Sequence, residues 1–275
     1  MGNLSSSAQT VGLFDSGVGG LSVLKAIRRN DPTIDFIYVA DSGNAPYGSR
    51  PVEFIENRAL QIAETLLSAG VQTIVVACNT ATAVAVESLR SQFSIPIIAM
   101  EPAIKPAAAQ TKTGVIGVLA TERTLESPAL TRLCREFGQG INILLKPCPG
   151  LVELVESGDI SSERTRDWLR RLVCPLIAQG ADTLVLGCTH YVFLEPEIRN
   201  IVGPAVHIIE SSEAVARQMA RHSNNLTGAS IRKGTGRETF LTTGSPENAQ
   251  SVFSLLLGAR VEVHALKNRN VRVET

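Results

Sequence analysis

The sequence has no net charge of either sign. Lys and Arg together number 26, and Asp and Glu also number 26. No global basic field therefore exists to draw the chain onto nucleic acid or an anionic membrane. It has no apolar run approaching the ~20 residues that span a bilayer. Its first ten residues show neither a positive segment nor an apolar one, so no secretory signal is expected. Gly2 followed by Ser6 fits a loose acylation pattern, but the segment reads as a disordered polar leader. It also has no C-x-x-C pair. The five cysteines, Cys78, Cys134, Cys148, Cys174 and Cys188, are odd in number in a chain of 275 residues. That argues against a disulfide framework and against a zinc or other metal site, and for a reducing cytoplasm. The glycine-rich stretch at residues 17–20 lacks both the Walker lysine and a full G-x-G-x-x-G, so a tight turn is preferred to a phosphate cradle.

What is present is a globular composition, with 44% hydrophobic and 19% charged residues. The length suits one large or two modest domains. Short apolar runs at 11–14, 34–40, 73–76, 95–99, 114–120, 141–145, 183–186 and 206–209 alternate with helix-periodic segments. That alternation predicts an α/β fold built on parallel sheets. Residues 162–179 read as a helix with Trp168, Leu169, Leu172 and Leu176 on one face and a kink at Pro175. A helix over 211–222 is expected to return to the first sheet. A polar loop with Arg232 and Lys233 follows, then strand, helix and strand to residue 266.

One unit occurs twice. Thr73-Ile74-Val75-Val76-Ala77-Cys78-Asn79-Thr80 corresponds to Thr183-Leu184-Val185-Leu186-Gly187-Cys188-Thr189-His190. A helix-like segment ending in glycine, Gly70 or Gly180, precedes each. Glu101 lies 23 residues after Cys78, and Glu210 lies 22 after Cys188. The economical reading is two similar α/β domains related by pseudo-twofold symmetry, 1–100 with 211–275 and 101–210, with the active site in the cleft between them.

Ligands of open α/β sheets bind beyond the carboxyl ends of the strands, where Asp15, Ser16, Cys78, Asn79, Thr80, Thr121, Cys188, Thr189 and His190 fall. A cysteine at a strand-to-helix turn sits near a helix N-terminus, which favours its thiolate. His190 can hold or relay a proton for Cys188, and Asp15 can do so for Cys78. Two thiols facing one small molecule suit a two-base proton exchange at carbon, which inverts a stereocentre without a cofactor. Neighbouring Asn, Thr and Ser side chains would hold an amino-acid substrate.

Four motifs in order, Asp15-Ser16-Gly17-Val18-Gly19-Gly20, the run 40–48 with Asp41 and Pro46-Tyr47-Gly48, Ala77-Cys78-Asn79-Thr80-Ala81 and Gly187-Cys188-Thr189-His190-Tyr191, closely resemble the glutamate racemases of the aspartate/glutamate racemase superfamily. The resemblance covers nearly all of residues 11–257. It implies cofactor-independent (PLP-independent) interconversion of L- and D-glutamate, supplying D-glutamate for peptidoglycan in the cytoplasm. It implies Cys78 and Cys188 as the acid/base pair, assisted by Asp15 and His190. Ser16, Tyr47, Gly48, Asn79, Thr80, Thr189 and His190 then contact substrate, with Asp15 beside them; Asp41, Thr121 and Glu156 are supporting. A homodimer is compatible with it. One departure is Glu210-Ser211, where the family often has Asp-Ser.

Alternatives remain at this stage. The substrate is glutamate, or aspartate or a hydantoin; a non-catalytic amino-acid-binding module is a different class. Cys134 and Cys174 read as small core hydrophobes. Cys148 reads equally as packing or as cleft lining. His207, His222 and His264 have no suggestive neighbours.

Overall fold

Runs of aliphatic residues without polar alternation mark strands covered on both faces. The computed structural model describes residues 10–226 and 234–266; the leader with Gly2 and Ser6, and the pair Arg232 and Lys233, lie outside them. Such runs form β1 (Thr10–Asp15), β2 (Asp35–Ala40) and β3 (Thr73–Val76), each buried almost end to end. They alternate with α1 (Leu21–Asn30), α2 (Val52–Ser68) and α3 (Asn79–Gln92), and β4 (Ile97–Ala99) follows. After α4 (Ile104–Gln110) the pattern restarts with β5 (Val115–Ala120), α5 (Glu122–Leu125), α6 (Pro128–Phe137) and β6 (Asn142–Pro147). It continues through α7 (Leu151–Glu156), α8 (Glu163–Ala178), β7 (Thr183–Leu186), α9 (Glu195–Val202) and β8 (His207–Ile209). The elements α10 (Ser212–Leu226), β9 (Glu238–Thr242), α11 (Pro246–Leu257) and β10 (Val263–Ala265) complete it. Two 3-10 turns, Tyr47–Ser49 and Thr189–Leu194, border the site.

Every strand pairing among the described residues is parallel. The first sheet runs β10-β9-β2-β1-β3-β4 and the second β6-β5-β7-β8. The inner order β2-β1-β3-β4 is repeated as β6-β5-β7-β8, so the protein is α/β with two parallel-sheet domains of one topology. The chain returns to the first sheet through α10, which lies along α1; Ser212 and Ser22 hydroxyls meet there at 3.3 Å, and Arg29 pairs with Glu213. One apolar cluster runs through both domains, joining Val18, Leu21 and Leu24 to Leu186, Tyr191 and Leu194.

The repeated unit has a repeated stop. Helix α2 ends on Gly70 (φ 83°) and α8 on Gly180 (φ 92°). In the first, Gly70 N–H donates to Leu67 O and Val71 N–H to Leu66 O; in the second, Gly180 N–H donates to Ile177 O and Ala181 N–H to Leu176 O. This paired closure satisfies the last helical carbonyls and needs a left-handed residue. Glycine supplies it in both places, and the chain turns at once into β3 or β7.

The second unit departs from expectation after its cysteine. Helix α3 begins directly behind Cys78, but Cys188 leads into the 3-10 turn, and α9 starts only at Glu195. On α8, Leu169, Leu172, Val173 and Leu176 form the buried stripe. Cys174 therefore faces solvent rather than the core, and Trp168 sits at the stripe's margin with its indole N–H on Pro149 O at 2.9 Å. Cys134 is half-buried. Helix α8 continues through Pro175 to Ala178.

A Cβ added at Gly70 meets nothing within 4 Å, so Gly70→Ala isolates the backbone conformation. It is expected to destabilise by about 1–2 kcal/mol, lowering Tm by roughly 2–8 °C at this size. A melting temperature unchanged or raised in the alanine variant would contradict the left-handed closure.

Candidate active site

Strand β1 delivers Asp15, fully buried, to the turn between the domains. Its Oδ1 accepts from Gly17 N–H at 2.7 Å, and its Oδ2 accepts from the Thr189 hydroxyl at 2.9 Å. The second bond crosses from one domain to the other. Glu156, the last residue of α7, crosses in the opposite sense. Its Oε1 accepts from Val18 N–H at 2.7 Å and lies 2.6 Å from His190 Nε2; its Oε2 accepts from Ser42 Oγ at 3.1 Å. The approach is possible because the turn is bare of side chains. A Cβ at Gly17 would lie 1.8 Å from Glu156 Oε1, and one at Gly19 would lie 2.4 Å from both Thr189 Oγ1 and His190 Nδ1.

The two thiols occupy matching backbone positions, Cys78 at φ −137°, ψ 119° and Cys188 at φ −145°, ψ 135°. Cys78 Sγ accepts from Ala81 N–H at 3.4 Å and lies 3.7 Å from Ser16 Oγ. Cys188 Sγ lies 3.8 Å from His190 Nδ1. Both thiols line one closed cavity, with Ser16, Tyr47, Gly48, Asn79, Thr80, Thr121, Thr189 and His190 in its wall. Its free volume is about 10 Å³, near the space one water needs. Asn79 is 3% exposed, yet neither its amide oxygen nor its amide nitrogen has a partner. Buried amides are normally paired, and an unpaired group costs roughly 1–3 kcal/mol. A side chain held this way is prepared for a ligand.

Two of the wall residues, Thr80 and Thr121, form a closed ring of hydroxyls with Thr124, with spacings of 3.0, 3.0 and 3.3 Å. It ties α3 of the first domain to the start of α5 in the second. Gly48 presses on the same place, since a Cβ there would lie 2.8 Å from Thr121 Cβ.

Electrostatics in this closed space are governed by desolvation. Burial pushes Asp15 up to about 6, although the charge of His190, the Gly17 N–H and the Thr189 hydroxyl all oppose it. Burial, reinforced by the Asp15 charge, pushes the Cys78 thiol up to about 12 against the Ala81 and Ser16 bonds. The expected lowering of Cys78 by its helix N-terminus is therefore overturned: one weak N–H bond to sulfur does not offset loss of water. His190 behaves oppositely. Burial works against its charge, but its bonds to Cys188 and Glu156 and the nearby Asp15 hold it well above the ordinary imidazole value.

Asp41 lies behind the cavity wall rather than in it, accepting from Tyr47 OH at 2.5 Å. Asp15, expected to hold or relay a proton for Cys78, has Gly17, Ser16 and Thr189 as its direct partners, and Ser16 Oγ stands between them, 3.4 Å from Asp15 Oδ1 and 3.7 Å from Cys78 Sγ. Cys148 is buried outside the cavity, with Sγ 3.3 Å from Lys146 O and its own carbonyl accepting from Tyr191 OH, so it packs. His207 and His264 are exposed. Glu210 caps Ser212 N–H, and Ser211 Oγ donates to Glu101 O at 2.6 Å, away from the thiols. A larger cavity of about 810 Å³ opens between Thr82, Arg90, Glu101, Arg132, Glu210 and Arg217. Size alone favours it, but it contains neither thiol. Val152 in the wall of the small cavity, and Ser42 and Thr124 bonded to residues beside it, were not singled out in the sequence. Only Thr124 carried a local signal, three residues after the helix-capping Thr121.

Residues 22–219 match the model of the Asp/Glu/Hydantoin racemase family. The chain belongs to that family. It is 45% identical over 264 residues to a glutamate racemase of Ectopseudomonas mendocina, covering 95% of this chain and 99% of that one. It is 48% identical over 246 residues to a glutamate racemase of Methylococcus capsulatus, covering 90% and 91%. Among solved structures, the Escherichia coli glutamate racemase in complex with L-glutamate and the activator UDP-MurNAc-Ala superposes with a TM-score of 0.82 at 30% identity, over 94% of this chain and 98% of that one.

The raised Asp15 has a measurable consequence. Between the ordinary carboxylate value of 3.8 and about 6, the folded chain keeps a proton that the unfolded chain has released, so stability falls as pH rises through that window. Asp15→Asn removes the loss. The parent is therefore expected to lose about 2–3 kcal/mol more than the variant between pH 4 and about pH 8, whatever the variant's own stability. Urea melts of both at the two pH values check this; the same pH dependence in parent and variant would show that Asp15 is not a desolvated anion.

Proposed function

We propose that the protein interconverts L- and D-glutamate by moving the α-proton between two thiols, without an organic cofactor. The observation that carries the reading is the cavity in which Cys78 and Cys188 meet an unpartnered Asn79 amide. One thiolate takes the α-proton and becomes a thiol. The carbanion's charge spreads into the α-carboxylate. The opposite thiol donates its proton to the other face and is left as the thiolate. Proton count is conserved, and the enzyme returns with the two sulfurs' states exchanged, ready for the reverse direction. Stabilising charge as it forms is the task of preorganised donors in a space without water. Asn79, Thr80, Thr121, Thr189 and Ser16 supply them, and the Tyr47-Gly48 turn walls the substrate in.

His190 supports Cys188 directly, and Glu156 fixes the imidazole by its 2.6 Å bond to Nε2. Asp15 acts on Cys78 through its charge and on the Cys188 side through Thr189. Asp41 acts through Tyr47. Glutamate does not fit a water-sized space, so the domains, 1–100 with 211–275 and 101–210, part to admit it. The chain crosses between them near Glu101 and Ser211, which are bonded to each other at 2.6 Å. Glutamate, rather than aspartate or a hydantoin, is favoured by the relatives' names and by the L-glutamate bound in the Escherichia coli protein. The reading includes supply of D-glutamate for peptidoglycan, a cytoplasmic location and a homodimer. No helix among the described residues is long and apolar enough to cross a membrane.

Incubation of purified protein with L-glutamate in D₂O, with no PLP added, tests the reaction. D-glutamate carrying α-deuterium is expected; unlabelled, unracemised L-glutamate would falsify the proposal. Cys78→Ser and Cys188→Ser should each lower the rate by about 10³-fold or more with the circular dichroism unchanged. Full activity in either variant removes that sulfur from the mechanism.

A further inference from the structure

The turn at residues 41–48 carries Pro46, Tyr47 and Gly48 into the wall of the thiol cavity. Apart from the Ser42–Glu156 bond, the side-chain bonds that hold it come from residues outside the cavity wall. Their centre is Asp41, which is fully buried. Its Oδ1 accepts from Arg58 Nη2 at 2.8 Å, Thr243 Oγ1 at 2.7 Å and Asn44 Nδ2 at 3.0 Å. Its Oδ2 accepts from Arg58 Nε at 2.9 Å and from the Tyr47 hydroxyl at 2.5 Å. Arg58 stands on α2, outside the cavity, with its remaining nitrogen on Gln61 Oε1 at 2.6 Å.

Arg58 is the only cation in this set. Its two parallel bonds make the planar fork that pairs with both oxygens of a carboxylate, a geometry that lysine cannot copy. Without it, Asp41 is a buried carboxylate held by neutral donors alone. It would then recruit water, take a proton or turn toward solvent. Any of these releases the Tyr47 hydroxyl. Burial and the Asp41 charge raise the Tyr47 phenol well above its ordinary value, so it stays a donor. Its acceptor among the described residues is Asp41.

We propose that Arg58 is a positioning residue for the racemisation. Its forked ion pair holds Asp41, Asp41 holds Tyr47, and Tyr47 holds the Pro46–Gly48 wall against Thr121 of the other domain at the spacing the substrate needs. This rests on the racemase reading of the cavity. The thiols and their partners, Ser16, the Ala81 N–H and His190, make no bond to Pro46, Tyr47 or Gly48; the turn's link to His190 runs from Ser42 through Glu156, which Val18 N–H also holds. A loosened wall therefore weakens substrate binding more than proton transfer.

The test is steady-state kinetics of the full chain on glutamate. Arg58→Met is expected to raise KM about tenfold or more, with kcat within about threefold of the parent. Arg58→Lys, which keeps the charge and loses the fork, should fall between. Tyr47→Phe should match Arg58→Met. The double variant should be scarcely worse than either single, because both break one chain of contacts. If Arg58→Met does not fold, the Arg58→Lys and Tyr47→Phe cycle carries the same test. Parental KM in folded Arg58 variants, a fall in kcat at parental KM, or effects that multiply in the double variant each overturn the proposal. A parent chain that does not racemise glutamate overturns the racemase reading and this inference together. A parent that does, with Arg58 variants at parental KM, overturns only the inference.

Discussion

The structure depends on one crossing. The turn Gly17-Val18-Gly19 must come close enough to the second domain for Asp15 to reach Thr189 and for Glu156 to reach Val18. With the Thr80–Thr121–Thr124 ring and the shared apolar cluster, this crossing places two cysteines that are 110 positions apart in one cavity. The crossing is made of hydrogen bonds to two carboxylates, and its closeness is set by missing side chains. An alanine at Gly17 or Gly19 would overlap Glu156, Thr189 or His190. The glycines here serve contact between domains rather than a phosphate or an unusual φ. The same bonds also tie catalysis to closure: the Glu156 carboxylate that orients His190 is itself held by the first domain, through Val18 and Ser42.

Closure has an electrostatic price, and the direction of each shift shows where it falls. Asp15 and Cys78 are both driven toward their neutral forms because water is gone before favourable partners can compensate. The start of α3 gives Cys78 one N–H bond at 3.4 Å, too weak to reverse that. His190 is driven toward its charged form, against its burial, by Cys188 Sγ 3.8 Å from Nδ1, Glu156 Oε1 2.6 Å from Nε2 and the nearby Asp15 charge.

Much of this was legible in the residues. The repeated helix–glycine–strand–cysteine unit predicted two sheets of one topology. Gly70 and Gly180 appear as matched left-handed closures, and the α10 segment packs on α1 as its place in the chain suggested. The candidate residues Cys78, Cys188, Asn79, Thr80, Thr121, Thr189, His190, Ser16, Tyr47 and Gly48 all line one cavity. What stayed hidden has a common physical cause. Periodicity reports which face of an element is apolar, but not which polar atoms meet across hundreds of positions. Arg58 looks like a solvated helix charge until Asp41 is seen beneath it, and Thr243 lies 202 residues from its partner. Ser42 was invisible for the same reason. Cys174 misled because a small apolar residue in a helix is equally compatible with the stripe and its margin.

The near-symmetry of the two halves stops at the residue after each cysteine. Behind Cys78 an α-helix starts at once, and its Ala81 N–H points at the sulfur. Behind Cys188 the chain makes a 3-10 turn first. That turn brings His190 back to within 3.8 Å of the sulfur two residues before it. A regular α-helix there would carry the imidazole around the axis and away. The local backbone difference is therefore what gives one thiol an imidazole and leaves the other with a hydroxyl and a distant carboxylate. On the proposed two-thiol mechanism, two faces of one carbon need equivalent proton carriers, and the duplicated scaffold would supply them. Their unequal partners would give the proton a different free energy on each sulfur. Because L- and D-glutamate are equal in energy in free solution, that difference would be returned when the free enzyme passes its proton back from one sulfur to the other, the step that closes each turnover.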